Sequence, residues 1–184
     1  DVALQKLDVT LAIDRAGFVG GDGATHAGIF DVSYLRCIPN MIIMCPSDEN
    51  ECWKMLSTGY NYQGPAAVRY PRGEGPGTEI LKNFDLLEVG KARVINETSS
   101  DLVILSFGNM LDLSLEIADQ INCSLIDMRF IKPLDEELIE KCAKKYKHII
   151  TIEENVISGG AGSAVNEYLS KIGYSEKLKI FGIP

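Results

Sequence analysis

Apolar and polar residues alternate near the start of the chain, over residues 7–13, with the two-residue period of a β-strand. Two strand-like runs follow. Met41–Cys45 is an apolar run typical of a buried parallel strand, and Ala66–Tyr70, which is apolar apart from Arg69, predicts another strand. A helical pattern separates the two runs. Strand, helix and strand in this order predict parallel pairing through right-handed crossovers.

Two helices are predicted among these strands. The first covers Phe30–Ile38 and ends before a proline. The second begins with Ser47 as its N-cap, because the acidic residues that follow favour the positive end of a helix dipole. Its inner face is predicted to carry Trp53, Leu56 and Tyr60.

The later part of the chain repeats the α/β pattern. Its predicted strands are Val89–Ile95, Leu102–Phe107, Ser124–Met128, Ile149–Glu153 and Leu178–Phe181, and its predicted helices are Asp112–Ile121, Glu136–Tyr146 and a segment from the glycines at 159–162 to Leu169. Leu113, Ile117 and Ile121 are predicted to face inward. A stretch rich in glycine and proline separates the two parts. We therefore predict an α/β fold with one unit over 1–75, a linker over 76–87 and a second unit over 88–184.

Composition and charge narrow the class of protein. With 184 residues, of which 46% are hydrophobic and 24% charged, the chain has the composition of a globular protein. A net charge of −8 argues against nucleic acid or an anionic membrane as partner. No apolar run approaches the about 20 residues that span a bilayer. The five cysteines are odd in number and lack C-x-x-C spacing, which favours reduced thiols in the cytoplasm.

Three polar segments are predicted beyond the carboxyl ends of the strands, where open parallel sheets bind ligands. They are Asp14-Arg15, the glycine-rich loop over 17–28, and Tyr70–Gly73. Arg15 and Arg72 could grip one phosphate, because guanidinium forks match its oxygens. His26 could transfer protons near neutral pH, with Asp22 as the carboxylate that orients it.

Each of these features also has a structural interpretation. An arginine at a strand end is more often a salt-bridge partner, and a lone loop histidine is more often structural or exposed. Neither glycine-rich segment fits the dinucleotide fingerprint G-x-G-x-x-G, and Gly159–Ser163 could bind an anion or simply allow close helix packing. His26 and His148 share no metal-ligand spacing with the cysteines, so no metal site is predicted.

Six longer segments carry recognisable motifs, and they are Asp14–Gly28, Asp31–Pro39, Pro46–Cys52, Ala67–Gly73, Ile126–Asp135 and Glu153–Ser163. Together they resemble the 1-deoxy-D-xylulose-5-phosphate synthase family of transketolase-like enzymes, over essentially the whole chain. The last two segments are shared more widely, including with 2-oxoacid dehydrogenase β subunits. The resemblance implies the back portion of a parallel-sheet pyrimidine-binding domain, followed by a transketolase C-terminal-like domain that is truncated at its end.

The resemblance implies a transferase that uses thiamine diphosphate and Mg²⁺. Such an enzyme decarboxylates pyruvate and joins the product to D-glyceraldehyde 3-phosphate, for isoprenoid precursor, thiamine and pyridoxal biosynthesis. It is expected to be a cytoplasmic homodimer. By motif, Arg15 and Arg72 resemble arginines that hold the aldehyde's phosphate, His26 resembles an active-site histidine that moves protons, and Asp22 resembles its acidic neighbour.

The resemblance also implies that parts of the family lie outside this sequence. The family's activating glutamate, and the Gly-Asp-Gly block that holds Mg²⁺ and diphosphate, precede the segment matched here, and the family continues beyond Pro184. We therefore expect these residues alone to bind neither cofactor nor metal and to be inactive. Two other interpretations stay open, another transketolase-like enzyme such as a dehydrogenase β subunit, and a non-catalytic α/β interaction module.

Overall fold

Two mostly parallel sheets, one of four strands and one of five, organise the chain and confirm the predicted α/β fold class. The computed structural model describes residues 1–184, without the side chain of Ala24. The strands are β1 (Thr10–Ile13), β2 (Ile42–Met44), β3 (Ala66–Arg69), β4 (Arg93–Asn96), β5 (Leu102–Ser106), β6 (Ser124–Asp127), β7 (Phe130–Lys132), β8 (His148–Val156) and β9 (Leu178–Ile183). The α-helices are α1 (Asp31–Arg36), α2 (Glu49–Asn61), α3 (Met110–Ile121), α4 (Glu136–Lys145) and α5 (Ala161–Lys171). Over the described residues, no helix has the length and apolar character that a membrane crossing needs.

The first sheet has the strand order β1-β3-β2-β7. Its first three strands pair in parallel, as the strand–helix–strand pattern predicts. The fourth strand, β7, comes from much later in the chain and pairs antiparallel with β2, with Lys132 opposite Ile43. A strand of three residues is too short to show a periodicity, so the sequence did not predict it. The first sheet is thus completed by residues that lie beyond the linker.

The second sheet has the order β4-β6-β5-β8-β9, with β4 antiparallel at one edge and the remaining strands parallel. One hydrophobic core joins the two sheets. It includes Ile43 and Ala67 from the first sheet and Leu105, Ile126 and Ile149 from the second, all buried. Burial of this shared apolar surface, at about 25 cal/mol per Å², holds the second sheet in one position against the first.

The structure corrects the predicted start of α2. The N-cap is Asp48, whose side chain accepts a hydrogen bond from the backbone N–H of Glu51 at 2.8 Å. Ser47 instead donates its hydroxyl hydrogen to Asp127 of β6 at 3.0 Å. Serine and aspartate are equally good caps, so the local sequence could not decide between them.

The inward faces of two helices were also predicted wrongly in part. Trp53 and Tyr60 of α2 are exposed, the latter by 85%, and so are Leu113 and Ile121 of α3. The buried faces carry Glu51, Met55, Thr58 and Gly59 in α2, and Leu111, Ser114 and Ala118 in α3. Four of these seven buried residues are small, namely Thr58, Gly59, Ser114 and Ala118, and small side chains let a helix backbone approach a sheet closely. A hydrophobicity pattern does not record this reason.

The N-terminus of α5 binds a carboxylate of the chain itself. Glu153 of β8 is only 5% exposed and accepts hydrogen bonds from the backbone N–H groups of Ala161 and Gly162, both at 2.7 Å. A Cβ atom at Gly160 would lie 2.5 Å from Glu153 Oε2, so glycine is required for this approach. The glycine-rich segment therefore packs on an internal anion held at the positive end of the helix.

We predict that Glu153 makes the fold less stable as the pH rises. Burial raises its pKa to about 7, although the amide hydrogen bonds oppose the shift. Because the pKa is raised on folding, the stabilisation is fully present below about pH 4 and is lost as the pH rises toward 7. The difference in unfolding free energy between the wild type and Glu153→Gln should therefore fall by about 2 kcal/mol from pH 4.5 to 8, as measured by urea denaturation.

The matched control for this titration is Glu140→Gln, which changes an accessible carboxylate paired with Lys144. The difference in unfolding free energy between Glu140→Gln and the wild type should be nearly constant from about pH 4.5 to 8. A constant difference for Glu153→Gln as well would show that folding does not raise the pKa of Glu153 and would contradict the prediction.

Candidate functional site

The glycine-rich loop, residues 17–28, is closed at its neck by two backbone hydrogen bonds. Gly17 and Gly28 donate to each other's carbonyl oxygens at 2.8 and 2.9 Å. A Cβ atom on Gly28 would lie 2.1 Å from the carbonyl oxygen of Arg15, so only glycine fits there. Just before the neck, Ala16 donates its N–H to the carbonyl oxygen of Tyr70 at 3.0 Å. The neck thus brings the segments that follow β1 and β3 together.

Three of the predicted site residues meet at one carboxylate. Asp22 Oδ2 lies 2.9 Å from Arg15 Nε and 3.1 Å from Arg72 Nε. The hydrogen bond from Arg15 and the positive charge of Arg72 hold the pKa of Asp22 below its ordinary value. The hydrogen bond to Asp22, together with the nearby charge of Asp14, raises the pKa of Arg15. The arrangement is a negative charge held between two guanidinium groups.

The two arginines remain open to solvent. The side chain of Arg72 is 53% exposed, and that of Arg15 is also partly exposed. A phosphate could therefore reach both guanidinium groups, either by exchange with the Asp22 carboxylate or through their outer N–H groups. The structure shows the salt-bridged arrangement of these arginines, with Asp22 as their common partner.

His26 lies on the next turn of the loop and is exposed. Its Nδ1 atom is 3.0 Å from the hydroxyl oxygen of Thr25. Within the described residues, the side-chain partners of Asp22 are the two arginines and not His26. The positive charge of His26 still contributes to the lowered pKa of Asp22. The structure thus places the predicted pair near each other without a direct hydrogen bond.

A cleft of about 500 Å³ adjoins Arg72. The segments that follow β3 and β2, residues 70–75 and 46–49, form much of its lining, and the first of them includes the predicted segment Tyr70–Gly73. Arg15, Asp22 and His26 are not among the residues that line it. Asn109, Asp112 and Glu154 line it from the second sheet. A cleft of this size suits a small molecule.

The sequence analysis did not include the residues that line the cleft from the second sheet. Asn109 and Asp112 lie just after β5, and Glu154 lies in β8. Their approach depends on how the second sheet packs against the first, which periodicity does not describe. The adjacent acidic residues Glu153 and Glu154 at the end of a predicted strand were the available signal.

Arg69 is a further residue that the sequence analysis missed. It is 4% exposed, lies at the end of β3 and forms a buried ion pair with Asp31 of α1 at 2.7 Å. Its Nη2 atom also donates to the carbonyl oxygens of Gly28 and Glu154, at 3.2 and 3.4 Å. A charged residue inside an apolar run was the signal, because arginine is almost never buried without a partner. Arg69 thus holds the end of the glycine-rich loop through its hydrogen bond to the carbonyl oxygen of Gly28.

Over the part of the chain that the structure describes, no three His, Cys, Asp or Glu side chains come together as a group that could hold a metal ion. The described residues therefore do not fit a Mg²⁺ centre, and no chemical step is assigned to such an ion here.

Two protein-family models match the chain. The model of the transketolase pyrimidine-binding domain matches residues 1–78, and that of the transketolase C-terminal domain matches residues 90–182. Curated relatives named 1-deoxy-D-xylulose-5-phosphate synthase are 54% identical in Psychromonas ingrahamii and Pseudomonas entomophila, and 51% identical in Vibrio cholerae. These matches cover 100% of this chain and 29%, 29% and 30% of the relatives, so the chain spans less than a third of their length.

Solved structures agree with these matches. One is described as a split gene transketolase, an inactive β4 tetramer, with a TM-score of 0.87 and 29% identity over 100% of this chain and 60% of that one. Transketolase from Campylobacter jejuni shares the fold, with a TM-score of 0.73 and 20% identity over 100% of this chain and 28% of that one. The resemblance inferred from the motifs is confirmed. The chain belongs to the transketolase family, and the relatives that it matches at 51–54% identity are 1-deoxy-D-xylulose-5-phosphate synthases.

Proposed function

We propose that this chain is part of a 1-deoxy-D-xylulose-5-phosphate synthase, a transferase that joins pyruvate to D-glyceraldehyde 3-phosphate with loss of carbon dioxide. The observation that carries the proposal is the convergence of the partly exposed Arg15 and Arg72 on one carboxylate, that of Asp22, next to the cleft that Arg72 lines. A phosphorylated substrate needs such a local positive site, above all in a chain of net charge −8. A dehydrogenase β subunit acting on an unphosphorylated 2-oxoacid would not need it.

In this proposal the two guanidinium groups bind the phosphate of the aldehyde. Arginine suits this task because its fork of N–H groups matches phosphate oxygens and keeps its charge at any physiological pH. Asp22 holds Arg15 and Arg72 in place when substrate is absent, and it can accept a hydrogen bond from a substrate hydroxyl group. His26 gives a proton to the aldehyde oxygen as the new carbon–carbon bond turns that oxygen into an alkoxide.

Thiamine diphosphate, the cofactor that the relatives' family suggests, supplies carbanion chemistry when it is bound. We propose that the groups that bind it and its Mg²⁺ lie in the parts of the relatives that this chain does not span. In this proposal, the residues of this chain act on the aldehyde substrate. They bind the phosphate, orient the aldehyde and move its proton.

The same proposal covers the organisation of the protein. Residues 1–75 are the back portion of the pyrimidine-binding domain, 76–87 the linker, and 88–184 the C-terminal domain, with β7 reaching back into the first sheet. We propose a cytoplasmic location, which the odd number of cysteines and the lack of C-x-x-C spacing support. We propose that the complete protein is a homodimer that supplies isoprenoid precursors, and thiamine and pyridoxal through the same product.

One experiment tests the proposal on two preparations. We predict that a protein extended to the relatives' full length forms 1-deoxy-D-xylulose 5-phosphate from pyruvate and D-glyceraldehyde 3-phosphate, in the presence of thiamine diphosphate and Mg²⁺. The 184 residues alone should form no product, and calorimetric titration should detect no binding of thiamine diphosphate.

Two outcomes would contradict parts of this proposal. Micromolar binding of thiamine diphosphate to the 184 residues would show that the cofactor-binding groups lie within them. An extended protein that forms no product would contradict the proposed activity and favour a non-catalytic α/β module.

A further inference from the structure

We propose that Glu154 is a positioning residue, whose carboxylate fixes the glycine-rich loop and thereby sets the distance between Arg15 and Arg72. This inference rests on the proposed function, because it assigns a part in phosphate binding to a residue outside the phosphate cluster. By that name we mean Arg15, Asp22 and Arg72. Glu154 belongs to the second sheet, in β8, whereas the loop belongs to the first.

Both oxygens of the carboxylate have partners. Oε1 accepts a hydrogen bond from the backbone N–H of Phe18 at 3.1 Å, just after the neck of the loop. Oε2 accepts a short hydrogen bond from the side-chain amide of Asn109, at the start of α3. The amide holds the carboxylate from the second sheet, and the carboxylate in turn holds the loop. Glu154 therefore fixes the backbone of the loop relative to the second sheet.

Steric contact defines the position of the neck as well. A Cβ atom on Gly17 would lie 2.2 Å from Glu154 Oε2, so the carboxylate lies directly against the α-carbon of this glycine. Gly17 also has a φ of +80°, which side chains rarely adopt. Two residues further along β8, Val156 donates its N–H to the carbonyl oxygen of Ile29 at 2.9 Å. β8 thus holds the loop both where it begins and just after it ends.

The consequence concerns two of the three residues in the phosphate cluster. Arg15 immediately precedes the neck and Asp22 lies within the loop, so both move with the neck. Arg72 follows β3 and has no contact with the Glu154 carboxylate among the described hydrogen bonds and ion pairs. If the carboxylate were removed, the loop could shift, and one phosphate would no longer reach both guanidinium groups in their present geometry.

The first arm of the test measures the mobility of the glycine-rich loop by hydrogen–deuterium exchange. It uses the protein extended to the relatives' full length. Glu154→Ala should raise the exchange rate of backbone amides in 17–28 by about tenfold relative to β5 and β6, which should not change. Glu154→Gln should remain near the wild type, because its amide oxygen can still accept from Phe18 N–H. Glu140→Ala, which removes an accessible carboxylate far from the loop, is the control. Unchanged or uniformly raised exchange in Glu154→Ala would overturn the inference.

The second arm measures catalysis. In Glu154→Ala, the KM for D-glyceraldehyde 3-phosphate should rise about tenfold, the order expected for loss of one charge-assisted hydrogen bond. The kcat and the KM for pyruvate should stay within about twofold, since the chemistry is not touched. Glu154→Gln should restore most of the loss. An active enzyme in which all three constants are unchanged, or in which kcat alone falls, would overturn the inference.

The two arms separate this inference from the proposed function. A locally mobile loop in a Glu154→Ala protein whose wild type has no synthase activity would support the positioning role and contradict the proposed function. Synthase activity in the wild type, together with an unaltered loop in Glu154→Ala, would support the proposed function and contradict the positioning role.

Discussion

In a protein extended to the relatives' full length, with the synthase activity that we propose, replacement of Arg72 by alanine is expected to lower kcat/KM for D-glyceraldehyde 3-phosphate by about 100-fold. The substitution removes charge-assisted hydrogen bonds to the phosphate that are worth about 2–3 kcal/mol. For unphosphorylated D-glyceraldehyde, kcat/KM should change by less than about twofold, since that substrate has no phosphate to bind. Arg72→Lys should lie between the wild type and the alanine variant, because lysine keeps the charge and loses the fork.

The control for this comparison is stability. Arg72 is 53% exposed, and Asp22 keeps its hydrogen bond to Arg15 in the variant. The unfolding free energy of Arg72→Ala should therefore lie within about 0.5 kcal/mol of the wild type in urea denaturation. Equal losses for the two aldehydes would show that Arg72 does not act through the phosphate.

The second large effect concerns stability and does not depend on any activity. Arg69→Leu should lower the free energy of unfolding by about 3–5 kcal/mol, because it leaves the carboxylate of Asp31 buried without its cation. Hydrogen bonds to the carbonyl oxygens of Gly28 and Glu154 are lost as well. The measurement is equilibrium unfolding in urea, read at constant m-value.

Two further variants distinguish the ion pair from general damage to the core. The double variant Asp31→Leu, Arg69→Leu should lose less stability than Arg69→Leu alone, because no charge is left unpaired. Lys144→Ala, which breaks an exposed pair with Glu140, should change the free energy by less than about 1 kcal/mol. If Arg69→Leu cost no more than Lys144→Ala, water would have to reach Asp31, and the burial argument would be wrong.

Where burial and periodicity coincide, the sequence was a good guide to the fold. The mainly apolar runs became β2, β3 and β5, because strands that are covered on both faces have no polar side to alternate with. β3 also carries Arg69, whose charge is paired inside the protein. β8 was predicted to end at Glu153, where charges begin, but it continues to Val156. It can do so because α5 binds the Glu153 carboxylate and the glycine-rich loop binds that of Glu154.

The candidate site divides in the same way. Arg15, Asp22 and Arg72 could be predicted because the carboxyl ends of neighbouring parallel strands lie at one edge of a sheet. Asn109 and Glu154 could not, because they reach the cleft only through the packing of one sheet against the other. That packing depends on the shapes of many side chains at once, and no local pattern reports it.

The pairing of β7 with β2 also determines the order in which a nascent chain can complete its first sheet. β3 ends at Arg69, but the partner for the free edge of β2 begins only at Phe130, about 60 residues later. At a synthesis rate of about 5–20 residues per second, the edge stays unpaired for about 3–12 seconds. It carries Ile43 and Met44, and an open apolar strand edge is a template for aggregation. During synthesis, the free edge of β2 is therefore covered only after β7 has been made.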